Sequence, residues 1–103
     1  MMLMKESMFV RMFGNSPKIK VIDFLLDNSG LDWSKSDMAR QTGISRATLD
    51  GFFDSLVKDS IIVPTRIIGR ARLFRLNTQL AFVKKLIELD MLISRPLENK
   101  IKA

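Results

Sequence analysis

The sequence predicts an α+β fold, mostly α: a three-helix core, then a β-hairpin, then a C-terminal helix. Three observations carry this. Apolar residues recur at helical spacing in capped segments up to about Asp59. The next stretch, Ile61-Ile-Val-Pro-Thr-Arg-Ile-Ile68, turns β-branched and extended. Gly69-Arg70 then parts it from a second extended run, Ala71 to Leu76, by the two residues a tight hairpin needs. A chain of 103 residues, 47% apolar, suits one small domain with one core.

The elements follow in order. Residues 1–13 form an N-terminal apolar segment, with Leu3, Met4, Met8, Phe9, Met12 and Phe13 in a loose pattern. Two readings stand side by side: a partly ordered start, or a helix packed on the domain or on a second subunit. Residues 14–78 make up the domain proper. Ser16 is a good N-cap, and Pro17 fits the first helical position, where its missing N–H is no loss. Ile19, Ile22, Leu25 and Leu26 give that helix one apolar stripe, and Asn28-Ser-Gly30 stops it. Leu31-Asp-Trp33 is a candidate minor strand, with Trp33 as a core or strand-pairing anchor. Ser34 caps a second helix running to about Thr42, and Ser45 caps a third running to about Asp59. Pro64 marks the first hairpin strand as an edge strand, since it has no N–H for a ladder. Residues 79–95 hold the C-terminal helix, expected from Gln79 to about Ile93 and ended by Pro96; residues 96–103 read as a basic tail.

The stretch from Asp37 to Leu49 says most about function. Ala39 is small enough for a second helix to cross close over it. Gly43 stands where the helix must end, and Ile44 plugs the turn from below. Ser45 caps the next helix, and Leu49 and Phe52 are expected to face inward. This order of residues looks like a helix-turn-helix, a motif whose second helix enters the DNA major groove.

Charge points the same way. The net charge is +6 and the pI about 10.1, which favours an anionic partner. Between Ser60 and Ile87 stand Arg66, Arg70, Arg72, Arg75, Lys84 and Lys85, with no acid among them. Cys and His are absent, which excludes disulfides, thiolate or imidazole metal ligands and the Ser-His and Cys-His nucleophiles. With no recognisable nucleotide-binding loop either, an enzyme is not expected, nor is a metal or other cofactor. Asp50 and Asp54, four apart on one helix, read as a solvated face, for want of a third ligand. No apolar run approaches the ~20 residues of a membrane span, and a cytoplasmic protein is the default expectation.

Helix, short strand, two helices and a hairpin, from about Asn15 to Asn77, resemble the small winged helix-turn-helix transcription regulators of bacteria and archaea, of the arsenic-repressor and multiple-antibiotic-repressor type. Phe13-Gly-Asn-Ser-Pro-Lys-Ile-Lys-Val-Ile-Asp-Phe-Leu26 is similar to the opening of many archaeal members. The resemblance implies a homodimeric, sequence-specific binder of double-stranded DNA. The helix at 45–59 would enter the major groove through Ser45, Arg46, Ala47, Thr48, Asp50 and Gly51. The wing at 66–75 would lie on backbone or in a minor groove through Arg66, Arg70 and Arg72. Such regulators commonly pair through terminal helices, which here assigns Leu80, Val83, Leu86, Ile87 and Leu89 to dimerisation. The recognition helix departs from the pattern at Asp50 and Gly51, where relatives often carry basic or aromatic residues. A carboxylate near phosphates is repelled unless it accepts from a cytosine amino group. Two alternatives therefore stay open: a winged helix that binds protein, and a nucleoid-type binder with little sequence preference. No residue identifies a small-molecule effector.

Overall fold

The computed structural model describes the backbone of residues 7–102 and the side chains of residues 7–93; Leu3 and Met4 lie outside the described residues. The elements are α1 (Met8–Phe13), α2 (Pro17–Asp27), β1 (Trp33–Ser34), α3 (Lys35–Thr42), α4 (Arg46–Lys58), β2 (Ile62–Ile68), β3 (Ala71–Leu76) and α5 (Ala81–Lys102). The expected α+β architecture, mostly α, is present.

Serine starts four of the helices. Ser7, Ser16, Ser34 and Ser45 each accept from the backbone N–H three residues on, at 3.1, 3.3, 3.1 and 3.1 Å. A cap of this kind contributes about 1 kcal/mol. α3 ends at Gly43, whose φ of 74° lies in the left-handed region, and the Ile44 N–H reaches back to the Ala39 carbonyl at 3.1 Å.

The core lies where α2, α3 and α4 meet the sheet. Val21, Leu25, Met38, Leu49, Phe53, Leu56, Ile62, Leu76 and Val83 are fully buried there. Two assignments differ from the sequence reading. On α4 the inward aromatic is Phe53, and Phe52 is only half-buried. Spacings of three and four both fit a helical stripe, and the sheet decides between them. Phe53 meets Phe74 of β3 edge-on, with ring centroids 4.8 Å apart. On α2, Val21 is buried, while Ile19 and Ile22 are half-buried at its margin.

The antiparallel sheet has the order β1-β3-β2. β1 is offset from the expected Leu31–Trp33: Trp33 pairs with Phe74 and Ser34 with Leu73. Trp33 also packs edge-on against Phe24 at 4.9 Å, so it anchors the strand to α2. β2 is an edge strand, as Pro64 requires. Its register against β3 shifts between Pro64 and Arg66, leaving Thr65 as a bulge residue. Gly69 has φ 61° at the first turn position. That is the conformation of a hairpin turn with glycine first.

α5 differs most from expectation. Its backbone stays helical through Pro96 to Lys102, where a break and a basic tail were expected. Proline removes one donor and strains the preceding turn. The following Leu97-Glu-Asn-Lys-Ile-Lys102 holds mostly good helix formers, and these carry the helix on.

α1 folds back within the chain, burying Phe9 and Val10 against α2 and α5. The Ser7 hydroxyl that caps α1 donates to Asp23 Oδ1 at 2.8 Å. Burial raises the pKa of Asp23, Asp27 and Asp90, and for Asp27 and Asp90 a neighbouring carboxylate raises it further. Hydrogen bonds lower two others: Arg66 and Thr65 act on Asp32, and Arg40 and Ser34 act on Asp37. The two sets have opposite consequences for stability. A carboxyl raised by folding favours the fold when protonated, and this is lost as pH rises through its folded pKa. A carboxyl lowered by folding favours the fold when ionised, and this is lost as pH falls through its folded pKa. Stability should therefore rise on mild acidification from neutral pH and fall again below the ordinary Asp value of about 3.9. Asp27→Asn should raise the melting temperature slightly at pH 7, within the about 0.5 kcal/mol usual for exposed positions, and flatten the gain on acidification. Thermal melts of both proteins across this range check it; a variant less stable than the parent at pH 7 contradicts it.

Candidate nucleic-acid interface

The outward face of α4 presents Ser45, Arg46, Ala47, Thr48, Asp50 and Gly51, all exposed. A Cβ built on Gly51 would meet nothing within 4 Å, so no other described element explains that glycine. The hydroxyls of Ser45 and Thr48 are partly committed to the cap, 2.9 Å apart.

Asp50 is not the unpaired acid that the sequence suggests. Its Oδ1 lies 3.2 Å from Lys35 Nζ and 3.9 Å from Arg46 Nε. Lys35 also stands 4.7 Å from the centroid of the Phe53 ring, a cation–π contact. Arg46 Nη1 donates to the Ser36 hydroxyl at 2.9 Å. The start of α3 and the start of α4 are thus joined by one polar network, with Asp50 at its centre. Lys35 and Ser36 escaped sequence reading, because Ser34 drew attention only as a cap. Their one available signal is their place at the exposed start of the first helix of the motif.

The hairpin completes the site. A cleft of about 590 Å³ opens between α4 and the hairpin, with Lys35, Ser36, Arg46, Arg70 and Arg72 along its sides and Phe53 and Phe74 in its floor. Asp54 also lines it, as the acid opposed to these cations. The fold therefore gathers cations from three elements: Lys35 from α3, Arg46 from α4, and Arg70 and Arg72 from the hairpin. Arg66 stands apart. Its Nε donates to Asp32 Oδ2 at 2.9 Å and its Nη2 to Asp32 Oδ1 at 3.2 Å, while the Thr65 hydroxyl donates to the same Oδ2 at 2.7 Å. This fork fixes the bulge to the loop before β1 and raises the pKa of Arg66.

No family model and no curated protein matches the chain. Solved structures do resemble it. HlyU from Vibrio cholerae superposes with a TM-score of 0.61 at 19% identity, covering 84% of this chain and 87% of HlyU. NadR in complex with 4-hydroxyphenylacetate gives 0.64 at 17% identity, covering 93% of this chain and 68% of NadR. The adhesin competence repressor AdcR from Streptococcus pyogenes gives 0.58 at 19% identity, covering 80% and 63%. At these identities the likeness shows the fold. The chain has the winged helix-turn-helix fold. In this winged-helix domain α3 and α4 are the helix-turn-helix, and β2 with β3 is the wing. Among the described residues of the winged-helix domain and its flanking helices, no helix is long and apolar enough to cross a membrane.

The expected dimerisation residues divide. Val83 is 0% exposed in the core of a single chain, and Leu80, Leu86 and Ile87 pack against that core. Val83 thus serves the domain itself, Leu80, Leu86 and Ile87 are half-buried at its margin, and Leu89 is 38% exposed. The outward apolar residues of α5 are instead Phe82, Leu89, Met91 and Leu92, with Met12 and Phe13 exposed on α1. α5 is thus apolar on two sides. Which side docks inward depends on the rotation of α5, and the sequence carries no marker of that.

Proposed function

We propose that the chain is a transcription regulator that binds double-stranded DNA sequence-specifically as a homodimer. The observation that carries this reading is the convergence of Lys35, Arg46, Arg70 and Arg72 on the cleft between α4 and the wing. Forked guanidinium donors suit phosphate, and a basic cleft beside an exposed helix suits one duplex strand with the helix in the adjacent major groove. Arg46 is the base-reading candidate, and Arg70 and Arg72 are the backbone contacts. Asp50 acts first within the chain, holding Lys35 and Arg46 in place, so its charge is largely cancelled before any phosphate approaches. The role is that of a binding module in the cytoplasm, with no catalytic group and no cofactor.

Selection from random duplexes, followed by titration at several salt concentrations, tests the reading. Each phosphate contact should add about 0.9 to the slope of log affinity against log salt. A preferred sequence and a steep slope are expected. Absence of any shift leaves the protein-binding alternative standing, and a steep slope without preference leaves the nucleoid-type one.

The dimer is assigned to the exposed α1 and α5 faces. Phe82, Leu89 and Leu92 follow one another at intervals of seven and three, the spacing of a helix–helix seam. Uncovered apolar side chains of this size mark an association surface. Light scattering at micromolar concentration should give a dimer. Leu89→Glu with Leu92→Glu should give a folded monomer that binds a palindromic site far more weakly. A monomeric parent protein overturns the dimer.

A further inference from the structure

The wing tip is apolar as well as cationic. Ile67 is 62% exposed and Ile68 55%, consecutive in β2 next to the turn and so on opposite faces of the ribbon. They pair across the ribbon with Arg72 and Ala71. Because Arg66 is tied to Asp32, the part of the wing left free is the stretch from Ile67 to Arg72. That stretch is slim. Gly69 has no side chain and Ala71 has one methyl group, while no acid occurs between Ser60 and Ile87. A hairpin built only to touch phosphates has no use for two large exposed isoleucines. An apolar centre with cationic margins matches a DNA minor groove, with its sugar walls between two rows of phosphates, about 6 Å wide.

We propose that the wing tip wedges into the minor groove of the bound duplex, with Ile67 on one face of the ribbon and Ile68 on the other meeting the groove's two walls, while Arg70 and Arg72 hold the phosphates on either side. The wedge supplies affinity that does not depend on salt and bends the duplex away from the wing, as inserted apolar side chains do. This rests on the DNA-binding reading and adds to it a second kind of contact, set by groove width and not by charge.

The test uses the full chain and its best selected duplex. Ile67→Ser with Ile68→Ser should lower affinity about tenfold, or about 1.4 kcal/mol, at every salt concentration, with the salt slope unchanged. Fluorescence energy transfer between duplex ends should show a bend with the parent protein and a straighter duplex with the variant. A second measurement needs no variant. Replacing guanine by inosine in the flank under the wing removes only the minor-groove amino group and should tighten binding by the parent. Unchanged affinity of the serine variant, or indifference to inosine, overturns the wedge while leaving DNA binding intact. A parent protein that binds no duplex overturns the DNA reading itself, and the two failures are thereby told apart.

Discussion

Replacing Phe53 by alanine should cost about 3–5 kcal/mol, the range for truncating a buried phenylalanine. Domains of this size have only about 5–15 kcal/mol in total. The melting temperature should fall by at least about 12 °C, taking the lower limits of 3 kcal/mol and 4 °C per kcal/mol. Phe53 is 1% exposed, meets Phe74 edge-on and lies beneath the Lys35 ammonium group. Its loss opens the floor of the basic cleft and removes the ring on which the Lys35 ammonium rests. Phe52→Ala, at the half-buried neighbouring position, should cost distinctly less. Thermal and urea unfolding of both variants decide it: equal losses would show that α4 is rotated from the orientation described.

Arg70→Ala with Arg72→Ala should produce the largest effect on binding with almost none on folding. Both side chains are exposed, and neither forms an ion pair among the described residues. Two lost phosphate contacts should reduce the salt slope by about 1.8. At 0.15 M salt that corresponds to a weakening of about thirty-fold, since 0.15 raised to the power −1.8 is about 30. The factor should be the same for every duplex sequence. Arg66→Ala should behave differently, because Arg66 serves Asp32. Its loss should loosen the bulge and lower stability while leaving most of the slope in place. If Arg66→Ala changed the slope more than the double variant, the assignment of backbone contacts along the wing would be reversed.

The parts of the molecule legible in the sequence are those written in local chemistry. Serine before a helix, glycine after one, proline on an edge strand and glycine at a hairpin turn each act within a few residues. They located α2, α3, α4 and the hairpin. What escaped depends on contacts between distant positions. Asp32 and Arg66 are 34 residues apart, and Lys35 and Asp50 are 15 apart. No short-range pattern announces either pair. Hence Arg66 read as a free wing cation and Asp50 as an unpaired acid. The choice of Phe53 over Phe52, and of Val83 as core, followed from helix rotation, which period alone leaves loose by one position. Pro96 misled for the opposite reason: a strong local rule gave way to the helix formers beyond it.

Ser34 belongs to two elements at once. It pairs with Leu73 at the root of the wing, and its hydroxyl holds the first turn of α3. The helix-turn-helix and the wing are therefore welded through a single residue, and the Asp32–Arg66 fork adds a second weld nearby. In the proposed dimer such a part would work as a stamp, pressed whole against half a site. A signal that silenced it would find no joint inside the stamp to bend. It would have to change the spacing between two stamps, and α5 sets that spacing in the proposed dimer.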